Sequence, residues 1–116
     1  MNNLMFLHPQ INVKGTMATC QAFLATKPTP NATIIGISAG VVSLSAAHLV
    51  RSSAYTSSKM AAVKLLEILA AENPDVHVVS LHPGVVETAM YAKSGMKAET
   101  DDGVYISLPF LFKRTT

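Results

Sequence analysis

At 116 residues the chain has room for one domain. Charged residues make up 14% and apolar residues 49%, the first well below the roughly 25% usual in soluble proteins, so the chain is expected to bury surface against a partner or to form part of something larger. The net charge of +2 comes from scattered basic residues, which excludes a nucleic-acid module and a basic membrane patch, and the single cysteine, Cys20, excludes an intrachain disulfide and a cysteine-ligated zinc site.

Residues 1–10, MNNLMFLHPQ, carry neither the basic start nor the apolar run of a signal peptide. No other apolar stretch is long enough to span a bilayer, so the expectation is a cytoplasmic protein without a membrane span. Over 11–26, Val13, Met17, Cys20 and Leu24 recur at helical spacing. Cys20 is expected there as a buried structural thiol. Pro28 and Pro30 stop this helix, with Lys27 placed favourably at its C-terminal end. ATIIGISAG, residues 32–40, is β-branched and apolar on both faces, which predicts a strand buried in a parallel sheet.

Residues 41–53 have no clear period and read as a loop. Ser52 or Ser53 is placed to cap the next helix. That helix carries residues 54–72, shows a wide apolar face (Leu65, Leu66, Ile68 and Leu69), and ends before Pro74. VHVVSL, residues 76–81, is a second buried-strand candidate, with His77 expected in the packed core and Pro83 and Gly84 ending it. The order helix–strand–helix–strand predicts a parallel βαβ unit, part of an α/β, Rossmann-like (doubly wound) sheet.

Tyr55 lies four residues before Lys59 at the start of the second helix, so the two share a helix face. An ammonium near a phenol favours the phenolate and lowers the tyrosine pKa from about 10. Such a tyrosine can exchange a proton near neutral pH, as carbonyl–alcohol interconversion requires. The hydride would have to come from a cofactor, since no side chain supplies one. Taken alone, Tyr-x-x-x-Lys is a weak motif, equally an exposed pair without a role.

Four segments in order carry more weight: INVKG, ATIIGISAG, SAYTSSKMAAVKLL and VVSLHPGVVETAM. Together they resemble the short-chain dehydrogenase/reductase family over about residues 11–102, its fungal members especially. The resemblance implies an NAD(P)(H)-dependent oxidoreductase acting on a carbonyl or alcohol substrate. It implies Tyr55 as acid/base, Lys59 as the lysine that lowers its pKa and bonds the nicotinamide ribose, and Asn12 as the support of a water-linked proton relay. Pro83, Gly84, Val86 and Thr88 match the segment lying against the nicotinamide half of the cofactor, whereas without the resemblance Pro83–Gly84 reads as a plain strand-end turn.

One position departs from the family pattern. Gly36, Ile37, Ser38 and Ala39 stand where an asparagine, an apolar residue and two serines are usual, so Ala39 occupies the place of the serine that polarises the substrate carbonyl. Ser38, on the other side of the strand by alternation, or Ser43 is left for that role. The glycine-rich turn that receives a pyrophosphate is not found in the sequence. Residues 1–102 are therefore expected to correspond to the C-terminal half of such a domain, with 103–116 a divergent, poorly ordered tail. The alternative is a non-catalytic chain of the same descent that associates with others, as a homo- or hetero-oligomer, through the helices of 11–26 and 54–72. His8, His48, His77 and His82 lack metal-ligand spacing, and Met60, Met90 and Met96 read as packing or pocket lining.

Overall fold

Thr33–Ile37 (β1) and His77–Leu81 (β2) pair in parallel in the computed structural model, which describes residues 4–84. The register runs from Thr33 opposite His77 to Ile37 opposite Leu81. Leu4–Pro9 (α1) continues through a π-helical turn, Gln10–Gly15, into Thr16–Ala25 (α2). Ser53–Glu72 (α3) connects β1 to β2, so the expected parallel βαβ unit is present.

The first helical segment starts earlier than its apolar period suggests. Pro9 looks like a breaker, yet its φ of −62° and ψ of −37° are helical. It lacks only the N–H that would continue the α ladder, and the wider π turn follows directly. At the other end, the N–H groups of Thr26 and Lys27 bond to the carbonyls of Phe23 and Leu24 at 3.1 and 3.0 Å. Lys27 then adopts a left-handed φ of 52°. It closes the helix by backbone conformation, a role usually given to glycine.

Cys20, Leu66, Val76 and Val78 form the buried core, with Leu24, Ile34, Leu69 and Ala70 packed around it. The thiol is buried as expected, and burial raises its pKa. Ile34 and Gly36 of β1 and Val78 and Ser80 of β2 share the face against α3. The opposite face corrects the sequence expectation of a strand buried on both sides, since Ile35 and Ile37 remain 59% and 56% exposed. Alternation gives β1 two apolar faces, but the packed helix covers one of them. His77 belongs to the open side and is exposed rather than part of the core. Met60 is likewise exposed, its helix position facing away from the sheet.

Gly36 sets how closely α3 approaches. A Cβ there would lie 2.1 Å from Cδ1 of Leu66 and 3.3 Å from its Cγ. Leu66 is 4% exposed and has little room to move aside. Gly36→Ala is expected to destabilise the chain by about 1–3 kcal/mol through overpacking. Leu66→Ala alone is expected to cost about 2–5 kcal/mol, and the double variant less than the sum, read as a coupling energy in urea denaturation. Additive losses would show that helix and strand do not meet at this pair.

Candidate functional site

Because α3 returns across the sheet from β1 to β2, its N-terminal end stands at the C-terminal edge of the strands. Ligands of open α/β sheets bind at that edge. The connection from β1 contains two 3₁₀ turns, Gly40–Ser43 and Ala46–His48, where the sequence reads as an unstructured loop. Ser52 occupies the N-cap position of α3, but its hydroxyl caps no backbone N–H. It donates to the carbonyl of Leu49 at 2.7 Å and meets the Thr56 hydroxyl at 3.0 Å. The capping expectation is thus right for the position and wrong for the bond, since the hydroxyl is already engaged with the preceding turn.

Tyr55 and Lys59 are both half-buried on the first turns of α3. Nζ of Lys59 donates to the carbonyl of Ile37, the last residue of β1, at 3.1 Å. The ammonium is therefore held at the strand edge with two further N–H groups to offer. Burial lowers the Lys59 pKa and raises that of Tyr55. Loss of hydration disfavours the charged form of both groups.

Asn12 lies in the π turn and reaches α3 directly. Its Nδ2 donates to Oγ of Ser58 at 2.9 Å, and Ser58 Oγ donates to the Tyr55 carbonyl at 2.7 Å. Ser58 is only 2% exposed. The Asn12 carbonyl accepts from the Thr16 hydroxyl at 2.7 Å. Edge-on to the Tyr55 ring stands His8, with ring centroids 5.7 Å apart and planes at 75°.

Beyond β1, the Ser38 N–H bonds to the Leu81 carbonyl at 2.7 Å and extends the strand contact by one residue. Ala39 is 9% exposed in extended backbone, φ −146° and ψ 147°, and Ser38 is half-buried. Pro83 is exposed, and Gly84 has a φ of 90°, a conformation open to glycine at little cost. Nδ1 of His82 is buried without a partner among the described residues. Val86 and Thr88 lie outside the described residues, as do Met90, Met96 and the tail 103–116.

The structure therefore brings Asn12, Tyr55 and Lys59 to one helix start and leaves Ser38 at the strand edge. An ammonium and a phenol one helical turn apart suit the hydroxyls of a ribose and the oxygen of a carbonyl. The donor set fits the nicotinamide–ribose end of NAD(P)(H). Ser58 and His8 were missed by sequence reasoning. Ser58 has a faint signal, its place directly before Lys59; His8 has one only in retrospect, four residues before Asn12 in a segment that Pro9 seemed to break. Among the described residues, no group of three or more His, Cys, Asp or Glu could hold a metal ion, and no helix is long and apolar enough to cross a membrane.

A family model described as short chain dehydrogenase matches residues 8–99. No curated protein and no solved structure matches the chain.

Ser58→Ala removes both the acceptor of Asn12 and the bond to Tyr55, and is expected to cost about 1–3 kcal/mol in urea denaturation. Asn12→Ala should cost less, because Asn12 is only half-buried. Equal and negligible losses would mean that the bridge does not hold the two helices.

Proposed function

Since the chain belongs to the short-chain dehydrogenase family, we propose that it acts as an NAD(P)(H)-dependent oxidoreductase on a carbonyl or alcohol substrate, with Tyr55 as acid/base. The observation that carries this reading is the seating of Lys59 on the Ile37 carbonyl, one turn from Tyr55 at the C-terminal edge of the strands. When bound, the cofactor supplies hydride chemistry. Every other part falls to the chain's own residues.

In reduction the Tyr55 hydroxyl gives its proton to the carbonyl oxygen; in oxidation the phenolate takes the proton of the alcohol. The two N–H groups of Lys59 not bonded to Ile37 hold the nicotinamide ribose. The Lys59 charge would favour the phenolate, against the burial that raises the pKa of the phenol. Asn12, through Ser58, keeps this turn of α3 against the π segment. Pro83, Gly84, Val86 and Thr88 are proposed to border the nicotinamide, and Ser38, on the other side of the strand by alternation, to be only a poorly aimed substitute for the carbonyl-polarising hydroxyl that Ala39 lacks. A single unpaired cysteine suits a reducing compartment, and a cytoplasmic location is part of the proposal.

A second reading is a non-catalytic chain that associates with other chains through its helices. Exposed apolar side chains favour it: Ile11 and Met17 on the first helical unit, Met60 and Ile68 on α3. Sizing chromatography combined with nicotinamide fluorescence separates the two. Saturable micromolar binding of NADPH or NADH, lost in Lys59→Ala, is expected for the enzyme. Self-association without binding at millimolar cofactor would leave only the second reading.

Tyr55→Phe is expected to abolish turnover while cofactor binding and the unfolding midpoint stay close to the parent's; a Phe variant as active as the parent would remove Tyr55 from the mechanism. Ala39→Ser adds one preorganised donor toward a developing oxyanion. It should raise kcat by roughly 10²-fold with little change in cofactor affinity. An unchanged kcat would mean that another donor already serves.

A further inference from the structure

We propose that His8 is a positioning residue for the Tyr55 phenol, its imidazole standing edge-on to the ring and fixing it from the side of α1. The inference rests on the reading of Tyr55 as acid/base, but the contact itself stands on geometry. Centroids 5.7 Å apart with planes at 75° form the edge-to-face arrangement that aromatic rings prefer. Both residues are half-buried, so the contact lies at the wall of the site rather than in open water.

The two helical units meet twice around this one side chain. His8, at the end of α1, touches the phenol ring, and Asn12, in the π turn, reaches the Tyr55 carbonyl through Ser58. One contact fixes the turn of backbone that carries Tyr55; the other limits the rotation of its ring. A tyrosine side chain has two free torsions, so a backbone anchor alone leaves the hydroxyl free to sweep an arc. The edge contact removes that freedom and covers one side of the ring from water. Burial is the cause of the raised Tyr55 pKa, and the His8 ring lies against one edge of the phenol. Pro9 follows His8 directly, and the π turn begins after it, so an irregular stretch of helix carries both contacts. Such π irregularities are frequent at functional sites.

The test reads Tyr55 directly and needs no turnover. Phenolate absorbance is followed against pH in the full chain, with Tyr55→Phe identifying its share among the three tyrosines. His8→Ala is expected to move the Tyr55 ionisation to lower pH by about 0.5–1 unit, a three- to tenfold change in acid constant, as water reaches the ring. His8→Phe, which keeps a ring edge at that place, should restore the parent titration and the Tyr55 ring-proton shifts in NMR. If His8→Ala does not fold, His8→Leu fills the space without an aromatic edge and should still change those ring shifts. Parent-like titration and ring shifts in both His8→Ala and His8→Leu would overturn the proposal, as would a Phe variant indistinguishable from Ala. Should Tyr55→Phe keep full activity while His8→Ala still moves the titration, the acid/base reading fails and the positioning contact stands.

Discussion

The missing side chain at Gly36 governs the rest of the arrangement. Leu66 occupies the space that a Cβ would need, so α3 lies closer to β1 than two ordinary residues permit. Seated there, the helix buries Leu66 against Cys20, Val76 and Val78. The same seating brings its N-terminal turns over the strand ends, where Lys59 spans to the Ile37 carbonyl. A packing contact in the middle of the helix thereby determines where an ammonium stands two turns earlier. The family resemblance puts asparagine at this position, and the glycine here leaves the space that Leu66 fills.

Electrostatics at the site are those of a partly dehydrated pair. Tyr55 is pushed toward its neutral phenol and Lys59 toward its neutral amine, each by burial. Among the described residues neither is hydrogen-bonded to an acidic side chain, and Lys59 donates to a backbone carbonyl.

Much of this was legible in the sequence, and the misses share a cause. β-branched runs marked both strands, the second to within one residue and the first with an end at Ile37, three residues before Gly40, and the Leu-rich period marked α3. Tyr55, Lys59 and Asn12 were legible through their motif. What the pattern could not convey was the environment of each group. Alternation in TIIGI shows two apolar faces but not which one a helix covers, so Ile35 and Ile37 were expected inside. His77 fails for the same reason, sitting on the uncovered side of its strand. Ser52 was at the cap position, yet a competing carbonyl one turn back took its hydroxyl. His8 and Ser58 come from contacts between residues 46 or 47 apart in the chain, and no local period encodes such a meeting.

The low charge of the chain now has a structural counterpart. Ile35 and Ile37 on the open sheet face, Ile11 and Met17 on the first helical unit, and Met60 and Ile68 on α3 all keep substantial exposure. Covering such side chains is favourable by roughly 25 cal/mol per Å² of apolar surface. Two of these surfaces flank the site: the π turn carries Ile11 beside Asn12, and α3 carries Met60 beside Lys59. An apolar contact made there would hold the two helical units together at the point where His8 and Ser58 pin Tyr55. Covering the helices there would stiffen the turn that carries Tyr55 and Lys59.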